Sequence, residues 1–353
     1  MAKQNVSVQM NVVPFAAGAE GARDRRNYLR SLRCEIASAV DYAGDYAVNA
    51  LCITGTNPLQ YRGESLTSLI VTLGNVFELQ KGAEITVDTW PGSINRDDLY
   101  NLRNCGVTRV RFDAASFVQS ELEALGRTYS TSAIEVFIRM IQRWITFFPF
   151  DITLYCGLPG QTAESFHYSL EQALRLKSTH LTVLPFDDSA DASFVSWYPE
   201  AVSLITASGF EQYTPHHFAR DGFESLWNRL SFSNLPRLGF GAGARSLIDG
   251  IRGENTPDPA AYIAAGGSPE GVINRFKPVT QQEIECGNLQ DALYNLEEYD
   301  LADASPELRE RAESLCKRGY LAASSDHRVS LTCEGRANWR AVSAALALSK
   351  ACE

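Results

Sequence analysis

Apolar and polar positions follow two rhythms along the first two thirds of the chain. Short apolar runs at Val8–Val13, Ala50–Thr54, Glu84–Val87, Arg109–Phe112, Asp151–Tyr155 and His180–Leu184 predict strands, with Phe210–Thr214 a further candidate. Between them, Asp24–Asp41, Ser65–Gln80, Asn95–Asn104, Thr131–Phe147, Ala163–Leu176 and Pro199–Ser208 carry helical patterns. Asn95, before Arg96-Asp97-Asp98, and Thr162, ahead of Glu164, stand where helices start. Repeated strand–helix alternation predicts a parallel sheet with helices outside it, as an open sheet or a barrel. Gly55, Pro58, Pro91-Gly92, Gly157 and Pro159-Gly160 fall just past the predicted strands, where α/β folds place their ligands.

The alternation stops after Pro215. Residues 249–268, rich in Gly, Pro, Asp and Asn, are expected to form a long surface loop. A separate unit starts near Thr280, where Pro306–Gly319, Tyr320–Leu321, Val329–Thr332 and Glu334–Leu348 predict helix, short hairpin and helix. The expected domains are a β/α unit over 1–215, its extension with a loop region over 216–280, and a C-terminal domain over 281–353.

The formal charge of −10 argues against a nucleic-acid partner held by phosphate neutralisation. No apolar run is long enough to span a bilayer, and Met1–Met10 lacks the basic-then-apolar order of an export signal. None of the eight cysteines lies within four residues of another, so no CxxC metal motif exists. Several sit in apolar runs, as in Leu51-Cys52-Ile53 and Leu154-Tyr155-Cys156, so reduced packing thiols and a cytoplasmic location are expected. No serine–histidine–acid order, P-loop or zinc-protease motif appears.

A series of blocks in order resembles one known family. Glu84–Phe117 is similar to its EITxExNPG…L…GVxRxSxGxQSF segment, and Leu125-Gly126-Arg127 to its LGR. Ile152–Thr162 resembles its strand and GLPGQT turn, Phe218–Ser225 its YARPGFES, and Gly239–Ser246 its GxGAxS turn. Arg318–Leu321 and Leu331–Arg336 look like its C-terminal domain. The family is the HemN/HemW type of the radical SAM superfamily, which holds oxygen-independent coproporphyrinogen oxidases and heme chaperones. The resemblance runs from about Gln9 to Leu348. It implies an α/β fold: a radical-SAM-type partial (β/α) barrel of about six parallel strands, then a small C-terminal winged-helix-like α+β domain.

In that family a strand ending in PFC opens a CxxxCxxC loop whose thiolates hold a 4Fe–4S cluster, and S-adenosylmethionine binds the fourth iron. Here Val12-Val13-Pro14-Phe15 leads to Ala16, Glu20 and Arg23 at the ligand positions. An alkyl group has no donor atom and a guanidinium no free lone pair, whereas cluster iron suits thiolates. No 4Fe–4S cluster and no radical chemistry are therefore expected. The cofactor pocket departs as well. The family's GGGTP is Thr54-Gly55-Thr56-Asn57-Pro58, its Glu before NPG is Asp88, the nearby Asn is Trp90, an Asp before GLPG is Thr153, and the Gln of QSF is Ala115. By resemblance, S-adenosylmethionine would meet Thr54, Gly55, Thr56, Asp88 and Thr153, and it is the less favoured ligand. Asp88 reads equally well as a capping or solvated carboxylate.

Downstream, the histidine of the family's HNxxYW is missing from Trp227–Phe232, and that of its GAHS is Arg245. The tandem His216-His217 would offer imidazole to heme iron or a divalent metal, or is a plain turn pair. Arg220, Arg237 and Arg245 would form a cationic rim for porphyrin carboxylates, although Arg220 also suits a structural ion pair. Trp90, Tyr155, Trp197, Tyr198, Tyr213 and Trp227 either line a flat-ligand pocket or fill the core.

Three functions remain open. The favoured one is a binding protein for heme, a porphyrin or a similar flat, anionic ligand at the barrel mouth. A redox-neutral enzyme would use Asp88, Glu20, Tyr129 (at the family's histidine position after LGR) and His216 as acid–base groups. An inactive paralogue would act on a protein partner through its outer helices or C-terminal domain.

Overall fold

A computed structural model describes residues 3–15, 18–55, 58–61, 63–92, 95–144, 149–187, 191–324 and 327–347. In chain order its strands are β1 Gln4–Val12, β2 Tyr46–Gly55, β3 Glu78–Thr89, β4 Arg109–Ala115, β5 Phe150–Cys156, β6 His180–Pro185, β7 Glu211–Gln212, β8 His217–Ala219, β9 Arg237–Phe240, β10 Arg245–Ile248, β11 Ile251–Asn255 and β12 Ile273–Pro278, followed by β13 Tyr299–Asp300, β14 Leu321–Ala323 and β15 Arg328–Leu331. The chain divides into two compact units. One comprises Met1–Asp113, Val136–Pro149 and Leu235–Val279, the other Ala114–Glu135, Phe150–Asn234 and Thr280–Glu353. No described helix is long and apolar enough to cross a membrane.

In the first unit the strand order is β12-β11-β10-β9-β1-β2-β3-β4. Strands β9, β1, β2, β3 and β4 pair in parallel, and β10 to β12 extend the sheet antiparallel. Val6, Val8, Met10, Leu51, Ile53 and Val87 are buried along the parallel strands, as expected where helices cover a sheet. Helix Gly18–Ser38 buries Tyr28, Leu32 and Ile36 along one face. The same helix buries Glu35, whose carboxylate accepts hydrogen bonds from Tyr262 Oη at 2.5 Å, Asn255 Nδ2 at 2.7 Å and Gly241 N at 2.8 Å. Burial pushes its carboxyl above the usual range, and the three donors oppose that shift.

These anchors correct the expectation of a loop over 249–268. That stretch contains β11 and the helix Pro259–Ala265, with Asn255 and Tyr262 both bonded to Glu35. Gly, Pro and Asp there supply turns and an N-cap, Asp258, rather than disorder. The helix expected over Ser65–Gln80 ends at Val76, because Glu78 and Leu79 already pair with Ala47 and Val48 of β2. The helix expected over Thr131–Phe147 is described as Thr131–Trp144, and 145–148 lie outside the described residues. Asn95 and Thr162 both form capping boxes.

In the second unit the order is β5-β6-β8-β7, with β5 and β6 parallel and β6, β8 and β7 antiparallel. Its C-terminal part has the small sheet β13-β15-β14 and an apolar cluster that includes Leu289, Leu293, Leu308, Leu315, Trp339 and Val342. Helix Pro306–Lys317, the β14–β15 hairpin and helices Cys333–Ala337 and Trp339–Leu346 give the helix–hairpin–helix order read from the sequence.

Gly55 closes the β1–β2 pair at its C-terminal end. Its φ is +131°, and a Cβ there would lie 1.8 Å from the Val12 carbonyl oxygen. Gly55→Ala is expected to cost about 2–4 kcal/mol through forced separation of these backbones. Urea denaturation checks this; a loss below about 0.5 kcal/mol would mean that the strand ends part freely.

Candidate functional site

At the C-terminal ends of the parallel strands in the first unit, a polar row crosses four strands. Asn11 of β1 lies opposite Thr54 of β2, and Asp88 of β3 lies opposite Arg111 of β4. Thr54 Oγ1 donates to Asp88 Oδ2 at 2.6 Å. Arg111 forks onto the same carboxylate, with Nε 2.7 Å from Oδ1 and Nη2 2.8 Å from Oδ2. The two side chains of this pair are 19% and 24% exposed, so the charges neutralise each other with partial solvent access. The bidentate geometry is the strongest form of guanidinium–carboxylate pairing. Asn11 Nδ2 donates to Ala242 O at 3.1 Å, tying the row to the turn after β9.

Arg111 was not among the residues singled out from the sequence. It stands at the serine of the RxSxGxQSF segment, and a charged residue at that position of the block was the signal available. Its placement decides what Asp88 does. A cationic ligand seeking Asp88 competes with a guanidinium tethered to the adjacent strand, whose effective concentration no dissolved ligand matches.

Thr54, Gly55 and Asp88 thus come together, while Thr56 and Ala16 lie outside the described residues. Glu20 and Arg23 are both exposed on helix Gly18–Ser38. A 4Fe–4S cluster does not fit the donor set at these positions, which offers one hard carboxylate, an alkyl group and a cation in place of three thiolates. Among the described residues, no group of three His, Cys, Asp or Glu side chains is placed to hold a metal ion.

In the second unit Thr153 is buried within β5. Tyr129 is buried and donates its hydroxyl to Ala114 O at 3.5 Å. Ala115 adopts a left-handed φ of +58°, uncommon for a residue with a side chain. Beyond it, the buried Glu121 gathers several motif residues. Its Oε2 accepts from Ser116 Oγ at 2.6 Å and Gln161 Nε2 at 3.0 Å, and its Oε1 from Ser165 Oγ at 2.5 Å. Gln161 Oε1 in turn accepts from Gly157 N at 2.7 Å and Leu158 N at 3.3 Å. The glutamine of the GLPGQT turn is therefore engaged in holding its own loop. Glu121 was missed in the sequence, where nothing distinguishes it from an exposed helical glutamate.

His216 and His217 are both more than nine-tenths buried. Burial lowers the His216 imidazole to about 3, with Arg340 adding to the effect, so it is neutral; Phe194 packs edge-on at 5.6 Å. His217 Nδ1 lies 2.7 Å from Thr214 Oγ1 and 3.3 Å from Tyr294 Oη. Arg220 donates to the carbonyls of Ser178 and Ser208 and covers the Phe210 ring at 4.4 Å, a structural clamp. Arg245 belongs to the first unit and pairs with Glu254 at 3.3 Å, and Arg237 lies opposite Leu247 on the neighbouring strand. Of the aromatic residues, Tyr198 and Tyr213 are buried, and Trp197 stacks on Phe166 at 5.8 Å. A buried polar cluster also went unread: Asp151 Oδ2 is 3.4 Å from His180 Nδ1, and His180 Nε2 is 2.6 Å from Tyr213 Oη. Asp151 and His180 sit at the starts of β5 and β6, the end of a parallel sheet associated with stability rather than ligands.

No family model matches the chain. It is 28% identical over 280 residues to the heme chaperone HemW of Bacillus subtilis (strain 168), covering 73% of each chain. It is 25% identical over 261 residues to the heme chaperone HemW of Escherichia coli (strain K12), covering 67% of each. Among solved structures, the coproporphyrinogen III oxidase HemN from Escherichia coli, described as a radical SAM enzyme, superposes with a TM-score of 0.82 at 20% identity, covering 98% of this chain and 90% of that one. This likeness shows the fold expected from the sequence, a large, mainly parallel α/β sheet with a C-terminal domain.

Removing the fork on Asp88 should be felt. Arg111→Ser is expected to lower stability by about 1–2 kcal/mol, less than for a fully buried pair because solvent reaches both groups. Urea unfolding measures it, and an unchanged midpoint would mean that water replaces the guanidinium at no cost. His216 supplies a pH dependence. Its folded-state pKa lies below the unfolded value of about 6.5, so protons bind the unfolded chain first and stability falls as pH drops. From about pH 6.5 to about pH 4.5 the wild type should lose about 2 kcal/mol relative to His216→Leu, read from denaturation midpoints at each pH. Parallel profiles for the two proteins would refute this.

Proposed function

We propose that this chain, a HemN/HemW-like member of the radical SAM superfamily, is a cluster-less binding protein whose ligand is heme or a related porphyrin. One observation carries the reading. The Arg111 fork satisfies Asp88 internally, on a chain whose three cluster-ligand positions hold Ala16, Glu20 and Arg23. Radical chemistry needs both the cluster and a bound sulfonium cofactor, and these residues serve neither. The motifs that persist have structural work in this chain: Gln161 braces the GLPGQT turn, and Gly241 accommodates the Glu35 contact. A scaffold kept intact around a lost reaction suits a protein that holds a ligand without transforming it. The ligand class comes from the relatives' description as heme chaperones.

Both histidines of the tandem pair are buried, so recognition rests on the flat macrocycle and its carboxylates more than on axial ligation of iron. Asp88 paired with Arg111, and Tyr129 buried, are poorly placed to move protons, which weighs against a redox-neutral enzyme.

Three measurements on the purified chain test the reading. Heme titration should give a saturable Soret shift and thermal stabilisation, about 2.7 kcal/mol at a hundredfold excess over the dissociation constant. S-adenosylmethionine should give no thermal shift, and anaerobic reconstitution should leave no stoichiometric iron or sulfide. Retention of about four irons per chain after desalting would overturn the cluster-less assignment. Stabilisation by S-adenosylmethionine without heme binding would favour the redox-neutral enzyme instead.

A further inference from the structure

The C-terminal part of the second unit carries a groove of about 480 Å³, lined by residues of helix Pro306–Lys317 and of strands β14 and β15. Its floor is apolar, made by the buried Leu301, Ala312 and Val329 with the half-buried Cys316. Burial pushes the Cys316 thiol up, so it serves as a wall and not as a thiolate. The rim is exposed and polar, with Arg309, Lys317, His327, Arg328 and the carboxylate of Glu313. Part of this charge is already spent. Arg328 pairs with Glu298 at 3.6 Å, and Arg309 donates to the carbonyls of Leu301 and Ala302. Lys317 has no hydrogen-bond or ion-pair partner among the described residues. Setting Glu298 and Glu313 against the three cations leaves a surplus of one positive charge.

His327 sets this rim apart. The chain has five histidines. His180, His216 and His217 are less than a tenth exposed, and His167 is engaged by Ala163 O at 2.9 Å and by Glu200 at 3.3 Å. The exposed His327 has no side-chain partner among the described residues, and its carbonyl accepts from Leu301 N at 2.8 Å, which ties it to the groove floor. We infer, resting on the heme reading above, that this groove is the heme site and that His327 ligates the iron. The macrocycle would lie on the apolar floor with its propionates toward Lys317 and Arg309. A mainly apolar pocket with a few convergent polar groups is the usual form of a small-molecule site. Heme asks for a flat apolar surface, cations for its carboxylates and an imidazole for its iron, and floor and rim supply all three. The tandem pair, being buried, leaves the axial position to another residue. Charge agrees locally, since ferric heme with both propionates ionised is a monoanion. The formal charge of −10 on the whole chain does not decide the matter. Binding of a macrocycle is driven by apolar burial, and exposed charges beyond about 8 Å are screened at physiological salt. A long-chain carboxylate would use the floor and Lys317 but would leave His327 without a role.

The test titrates hemin, metal-free protoporphyrin IX and palmitate into the full chain and its variants. Hemin should bind more tightly than protoporphyrin IX, and resonance Raman spectra of the ferrous complex should show an iron–histidine stretch. His327→Ala should abolish that band and weaken hemin about tenfold, while binding of protoporphyrin IX stays as in the wild type. The unchanged protoporphyrin IX binding shows that the variant is folded. Ala323→Trp, at an exposed position of the lining, should obstruct both porphyrins and leave the urea midpoint unchanged. His216→Leu should keep the band. Hemin binding that survives both groove variants undiminished, or that shows no iron–histidine band in the wild type, overturns the groove assignment and leaves the heme reading standing. Palmitate binding tighter than that of hemin and indifferent to His327→Ala overturns it in favour of a long-chain carboxylate. No hemin binding by the wild type overturns both the site and the heme reading.

Discussion

Near the C-terminal end of the parallel sheet, the carboxylate of Asp88 is neutralised within the protein by Arg111. Thr54, Asp88 and Arg111 lie side by side on β2, β3 and β4, and the guanidinium takes both carboxylate oxygens. A ligand that neutralises such a group has its affinity raised by the charge it meets. A guanidinium on the adjacent strand removes that incentive permanently, because it is present at every ligand concentration. Asp88 is thereby committed to Arg111 and Thr54.

Around it, polar residues that look functional are fixed by structural duties. Glu121 binds Ser116, Gln161 and Ser165, so that the turn after β5 is held by a buried carboxylate fully supplied with donors. Glu35 does the same between helix Gly18–Ser38 and the turn after β9. A buried carboxylate without partners costs several kcal/mol, and each of these two is supplied with three hydrogen-bond donors. A turn sequence can therefore carry a folding role of its own, as the GLPGQT and GxGA segments do here.

The antiparallel extension β10 to β12 obeys a different rule. Its last strand, β12, is exposed along its whole length, so side-chain identity there is less constrained by packing than in the parallel strands.

The order of strands and helices in the parallel part was legible from periodicity alone, because a strand or helix that buries one face leaves its period in the sequence. The departures at 16, 20 and 23 were equally plain, since a side chain's donor atoms do not depend on its neighbours. Residues 249–268 were misread because Gly and Pro mark turns without saying whether the segments between them pair, and β11 pairs only through contacts with distant strands. The role of Arg111, and Glu121 and the Asp151–His180–Tyr213 cluster altogether, escaped the sequence for the same reason. Each is defined by a partner from 5 to 44 residues away, and sequence spacing carries no distance between strands. Sequence by itself determined the strands and helices of the parallel part and the donor atoms that its side chains carry. Only the tertiary structure decided which charges are already spent on one another, because that depends on through-space geometry set by strand register.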